Sequence, residues 1–86
     1  MTRGGLLRRL EDGRVANHRY AQGVLRGLVS AWRHQGRFVL TWEECRDGDQ
    51  HDEDAYTRDE RHLFVNAEEL VAFVEQRGLA AEDFHP

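Results

Sequence analysis

The stretch from Tyr20 to His34 constrains the fold more than any other part of this sequence. An advance of about 100° per residue, as in an α-helix, puts its apolar side chains on one half of a wheel and its polar residues on the other. The apolar half holds Tyr20, Ala21, Val24, Leu25, Leu28, Val29, Ala31 and Trp32. This segregation predicts an amphipathic helix, and Gly36 is placed to end it in a left-handed conformation.

A shorter helix is predicted upstream, from Gly5 to Asp12, where Gly13 follows as a terminator. Leucines recur there at helical spacing, at Leu6, Leu7 and Leu10. The N-terminal part of the chain is therefore expected to form two helices.

Two later segments have the composition of β-strands. Arg37 to Cys45 is rich in β-branched and aromatic residues, which favour a pleated strand. Ala55 to Val65 alternates in character along its length, which predicts either one long strand or two short strands that turn at Asp59 and Glu60.

A C-terminal helix has clear start and stop signals. Asn66 can cap its first turn, and Glu69, three residues later, can complete a capping box. Gly78 and Leu79 then supply the glycine and the apolar contact of a Schellman ending. Residues 80–86 are expected to be a flexible tail, with packing of Phe84 back onto the domain as the alternative.

The predicted fold class is α+β, as one small domain over residues 1–86. Two N-terminal helices precede an antiparallel β-hairpin or three-stranded meander, and a C-terminal helix follows. Because a sheet and amphipathic helices must bury their apolar sides against each other, two layers are expected.

Charge is distributed unevenly along the chain. Residues 1–37 hold eight arginines against two acids, a balance of +6, whereas residues 38–86 hold four arginines against fourteen acids, a balance of −10. The two sum to the net charge of −4. Such asymmetry favours a charged partner, self-association or attraction between the two halves of the chain.

The stretch CRDGDQHDED, which begins at Cys45, concentrates much of the acidity. Its carboxylates suit Mg²⁺, Mn²⁺ or Ca²⁺, but a calcium loop begun at Asp47 would need Gly where Asp52 stands and Glu where Arg58 stands. A solvated hairpin loop is therefore the preferred interpretation, an electrostatic contact surface the second and a metal site the third. The predicted acidic surface comprises Glu43, Glu44, Asp47, Asp49, Asp52, Glu53 and Asp54.

A basic surface is predicted on the long helix. Arg19, Arg26 and Arg33 are spaced by seven residues and would form one stripe on its solvent face. An arginine stripe can contact an acidic protein or nucleic-acid phosphates.

No catalytic or cofactor motif is recognisable, so no catalytic residue, cofactor or metal ligand is assigned. The lone Cys45 cannot form an internal disulfide, and the first residues lack a long apolar run, so a cytoplasmic protein without a membrane span is expected. The leading hypothesis is a non-enzymatic regulator or inhibitor that binds a protein partner through the acidic loop, the arginine-lined helix or both. A nucleic-acid-binding module is the second hypothesis and a divalent-metal-dependent activity the third; a homodimer is compatible with the first.

Overall fold

The computed structural model describes residues 1–86, apart from the side chain of Glu53. Two helices flank four consecutive strands. In chain order these elements are α1 (Arg3–Glu11), β1 (Ala16–Gln22), β2 (Leu25–His34), β3 (Arg37–Arg46), β4 (Arg58–Phe64) and α2 (Ala67–Gln76). The strands form one antiparallel sheet in the order β1-β2-β3-β4.

The fold is α+β, but the predicted order of elements was wrong. The stretch from Tyr20 to His34 is not a helix: it contains the end of β1, a two-residue turn and all of β2. Gly23 takes a φ of 60° in that turn, as the first central residue of a type II′ turn does. Gln35 and Gly36, with φ of 51° and 77°, connect β2 to β3 as in a type I′ turn. The glycines therefore close hairpins, and the sheet has four strands where two or three were expected.

The helical pattern arose because β2 is an inner strand with apolar residues on both of its faces. Successive side chains of a strand point to opposite faces, so Leu28 and Trp32 lie on one face and Val29 and Ala31 on the other. The adjacent apolar pairs 28–29 and 31–32 are three residues apart, which imitates the spacing of a helical stripe. The periodicity could not distinguish the two structures.

The other predicted elements are closer to the structure. β3 matches the predicted strand, and residues 58–64 form a single strand. Asn66 caps α2, because its Oδ1 accepts a hydrogen bond from the Glu69 backbone N at 2.9 Å. At the other end, Leu79 N donates to Val74 O at 3.0 Å beyond Gly78, which has a φ of 85°, as a Schellman ending requires.

Both helices pack on one face of the sheet, which we call the helix face. α1 contacts α2 and β2, and α2 also contacts β3 and β4. The core between the two layers includes Leu6, Leu10, Val29, Phe38, Leu40, Trp42, Leu70, Val71 and Val74. Within the described part of the chain, no helix has the length and apolar character needed to cross a membrane.

The C-terminal segment also joins this core. Phe84 is 1% exposed and Ala81 is buried beside it. His85 and Asn17 exchange two backbone hydrogen bonds of 2.7 Å, which adds a bridge at the free edge of β1. Much of the segment that we expected to be a flexible tail therefore packs against the first strand and the core.

Candidate functional site

The opposite face of the sheet, which we call the open face, has neither helix on it. Strand alternation puts Leu28, Trp32, Val39 and Cys45 on this face. Val39 and Cys45 are buried but do not belong to the core cluster beneath the helices. The open face therefore has apolar packing of its own, supplied by the inner strands β2 and β3.

An apolar row crosses the open face. The strand register places Trp32 beside Val39, and Val39 beside Leu63. Val15, immediately before β1, continues the row at one edge, and Val65, immediately after β4, lies beyond Leu63 on the same face. Val15, Leu63 and Val65 are 41%, 59% and 66% exposed. Val39 in the middle of the row is buried, so solvent reaches the apolar side chains mainly at the two edges of the face.

A charged row runs parallel to the apolar row, four residues further along the strands. The register aligns Arg19 on β1, Leu28 on β2, Glu43 on β3 and Asp59 on β4. The basic side chain lies at the β1 edge, whereas the acidic ones lie on β3 and β4. Between the two rows, Ser30 Oγ donates to Asn17 Oδ1 at 2.7 Å. The open face therefore has a basic half and an acidic half at this end.

The acidic loop between β3 and β4 stands at this same end of the open face. Asp47 N donates to Val24 O at 2.7 Å, and Arg26 Nη2 lies 3.4 Å from Asp47 Oδ2. Tyr56 Oη donates to Gln50 O at 2.7 Å, which closes the loop on itself. A cleft of about 560 Å³ separates the loop from the sheet, and its lining includes Arg19, Leu28, Glu43, Cys45, Gln50 and Tyr56.

The predicted acidic surface is only partly brought together. Glu43 lies on the open face, whereas Glu44, the next residue of the strand, lies on the helix face. The loop residues Asp47, Asp52 and Asp54 are exposed, and Asp49 is partly buried. The side chain of Glu53 lies outside the described residues.

The predicted arginine stripe does not exist, because its residues belong to two strands and not to one helix. Arg19 and Arg26 lie near each other on the open face. Arg33 lies on the other face at the opposite end of β2, where its Nη1 donates to Glu11 O at 2.9 Å and its guanidinium lies 5.8 Å from the Phe38 ring centre. Only two of the three arginines can therefore contact one partner together.

A polar cluster on the helix face was missed by sequence reasoning. The Tyr20 hydroxyl donates to Glu44 Oε2 and accepts a hydrogen bond from Trp42 Nε1 at 3.0 Å. Thr57 Oγ1 donates to Glu44 Oε1 at 2.9 Å, and the Arg58 guanidinium lies 4.2 Å from the Trp42 ring centre. These groups join three strands beside a second cleft of about 530 Å³, which His18, Arg77 and Leu79 also line.

The Tyr20–Glu44 pair is held in one protonation state. The hydrogen bond from Tyr20 lowers the pKa of Glu44 below its usual range. Burial, and next the same bond to Glu44, raise the pKa of Tyr20 above its usual range. At neutral pH the pair is therefore a carboxylate and a neutral phenol. The pKa of each group is displaced further from pH 7 than its ordinary value. A pair of this kind holds strands together but does not exchange protons readily near pH 7.

The metal hypothesis gains no support from side-chain placement. Among the side chains that the structure describes, no three His, Cys, Asp or Glu residues gather closely enough to hold a metal ion. The loop carboxylates instead make local bonds: Asp52 Oδ1 accepts from Asp54 N at 3.2 Å, and Asp47 Oδ1 accepts from Gln50 Nε2 at 3.3 Å.

Comparisons of this chain with protein-family models, with curated proteins and with solved structures found no match.

Proposed function

We propose that this chain is a small non-enzymatic interaction protein that binds a protein partner with the open face of its sheet. The observation that carries the proposal is the distribution of the exposed large apolar residues. Three of the four, Val15, Leu63 and Val65, lie on this one face, and the fourth, Val24, lies in the β1–β2 turn. Exposed apolar side chains concentrated on one face of a folded domain are typical of an interaction site.

The acidic loop and the charged row would orient the partner. Glu43, Asp59 and the loop acids flank the apolar row on one side, so a partner with basic groups at that position would be attracted and aligned. Charge of this kind accelerates encounter and selects partners, whereas burial of the apolar row supplies most of the affinity.

A cytoplasmic setting belongs to the same proposal. The single cysteine, Cys45, is free and buried. A reducing compartment maintains such a thiol and requires no disulfide for stability.

Other function classes have weaker support. The open face presents Arg19 and Arg26 for nucleic-acid phosphates, but the acidic loop beside them would repel the same phosphates. General acid–base catalysis needs groups whose pKa lies near the working pH, and the pKa values of Tyr20 and Glu44 are both shifted away from neutral pH.

A matched pair of variants tests the proposal. Leu63→Arg places a charge in the apolar row, and Val24→Arg places one in the β1–β2 turn; both side chains are 59% exposed. Wild type and both variants would be used for affinity capture from an extract of the native host, with quantification by mass spectrometry. We expect the same proteins to be captured by wild type and Val24→Arg and to be lost with Leu63→Arg. Equal capture by all three proteins would contradict binding at the open face.

A further inference from the structure

We propose that the occupant of the open face is a second copy of this chain, stacked face to face about a twofold axis parallel to the strands. This inference rests on the proposed function, because it takes the open face as the docking surface and names its partner. The axis would run midway between the two sheets, over the gap between β2 and β3.

The register of the sheet defines the contacts that such an axis creates. A rotation about an axis parallel to the strands keeps the position of each residue along the strand, and it exchanges β1 with β4 and β2 with β3. Trp32 would therefore face Val39 of the second copy, and Val15, one residue before the Ala16–Ala31 pair that begins the β1 register, would face Leu63 of the second copy. Val39 is already buried within each copy, so the surface removed from water belongs mainly to the exposed residues Val15 and Leu63 at the two edges of the sheet.

The same rotation pairs opposite charges. Arg19 on β1 and Asp59 on β4 occupy the same row at opposite edges of the sheet. In the stacked pair, each Arg19 faces Asp59 of the other copy, and this contact occurs twice. The acidic loop of each copy also lies at the end of the face that carries Arg26, whose guanidinium is 3.4 Å from Asp47 of its own chain. The uneven charge of the chain, basic in its first half and acidic in its second, thereby becomes self-complementary.

Other twofold arrangements fit less well. An axis across the strands, through the apolar row, would stack each strand on its own counterpart and would leave Arg19 and Asp59 without opposite charges. It would also place Arg61 over Val65 of the second copy. The preferred arrangement also has unfavourable contacts: Leu28 faces Glu43 of the second copy, and His34 faces Arg37, although both members of the second pair are exposed at the rim, where solvent screens them.

The size of the face predicts a weak, reversible dimer. With strands about 4.8 Å apart and about 3.4 Å per residue, four strands of seven residues project to roughly 450 Å². A standard interface buries about 800 Å² on each partner, so this interface lies at the small end even when loop contacts are added. We expect a dissociation constant in the micromolar range.

Sedimentation velocity across about 1 to 500 μM protein tests the inference. Wild type and Val24→Arg should change from monomer to dimer over this range, and Leu63→Arg should raise the dissociation constant by about tenfold or more. Wild type that stays monomeric throughout would overturn the inference. The proposed function would not be contradicted by that result, because the affinity capture from the native host tests separately whether the open face binds a different protein.

Charge exchange tests the orientation. Arg19→Asp alone places Asp opposite Asp, and Asp59→Arg alone places Arg opposite Arg, so each variant should dimerise more weakly than wild type. An equimolar mixture of the two variants should form a heterodimer, because every contact then joins opposite charges. Within one chain β1 and β4 are three strand spacings apart, about 14 Å, so the rescue cannot arise inside a monomer. A mixture that associates no better than its components would overturn the proposed axis.

Discussion

The phenol ring of Tyr20 lies directly over Gly27. A Cβ added at Gly27 would be 2.0 Å from Tyr20 Cζ and 2.4 Å from the hydroxyl oxygen. The missing side chain on β2 lets the ring cross from β1 and lets its hydroxyl reach Glu44 on β3. A residue without a side chain is therefore required in the middle of a strand, where glycine is otherwise unfavourable.

Gly27→Ala should lower the free energy of unfolding by about 1–3 kcal/mol, because the new methyl group would displace the Tyr20 ring. Denaturant unfolding followed by fluorescence measures this change. Gly4→Ala is the control: nothing lies within 4 Å of a Cβ at this position in α1, so the substitution should be neutral or stabilising. In a Tyr20→Ala background, Gly27→Ala should no longer lower the free energy of unfolding. An equal loss in both backgrounds would show that the Tyr20 ring does not cause the destabilisation.

Glu44→Gln should make the free energy of unfolding depend less on pH in the acid range. A carboxylate whose pKa is lowered by folding contributes stability above its usual pKa, and this contribution is lost as the pH falls through the lower folded pKa. The free energy of unfolding of the wild type should thus decrease more steeply below about pH 5 than that of the variant. Tyr20→Phe keeps the ring but removes the donated hydrogen bond, so it should flatten the profile in the same direction. Parallel profiles for all three proteins would contradict the assigned cause.

Asn66→Ala should destabilise the protein by about 1 kcal/mol, because the Glu69 backbone N would lose its side-chain acceptor at the start of α2. Chemical denaturation measures the change. Asn66→Asp keeps an acceptor oxygen and adds a negative charge at the helix N-terminus, so it should retain most of the stability. Equal losses in both variants would indicate that the cap is not responsible.

Phe84→Ala should lower the free energy of unfolding by about 3–5 kcal/mol, as expected for truncation of a fully buried aromatic side chain. Denaturant unfolding measures this change. The neighbouring variant His85→Ala is the control. The His85 side chain is exposed, and its two bonds to Asn17 come from the backbone, so stability should change little. A small effect of Phe84→Ala would mean that residues 81–85 contribute little to the folded state.

Replacement of Asp47, Asp49, Asp52 and Asp54 by Asn should leave the fold intact or slightly more stable, because mutual repulsion within the loop is relieved and Asn keeps a hydrogen-bond acceptor. Circular dichroism and thermal melts measure this outcome. Self-association should weaken and depend less on salt, since the loop would no longer attract arginines of the second copy. Unchanged salt dependence would argue against a role for the loop in binding.

The candidate surface was only partly predictable for a physical reason. The sequence shows that acids cluster after Cys45, and the structure places that loop at one end of the open face. The predicted strand from Arg37 to Cys45 already implies that Glu43 and Glu44 point to opposite faces, but it does not show which of these faces the helices cover. The apolar row was not predicted at all, since Val15, Leu63 and Val65 are distant in sequence and only strand pairing brings them onto one face.

Local chemistry was sufficient where one short segment determines the structure. The Asn66 cap, the Gly78 ending and the β3 strand each depend on a few adjacent residues, and all three were determined by the sequence by itself. The stretch from Tyr20 to His34 was different, because its apolar spacing suits a helix as well as an inner strand with two apolar faces. Only tertiary structure decided between them: β2 lies between β1 and β3, where hydrogen bonds on both edges and burial on both faces outweigh the local pattern.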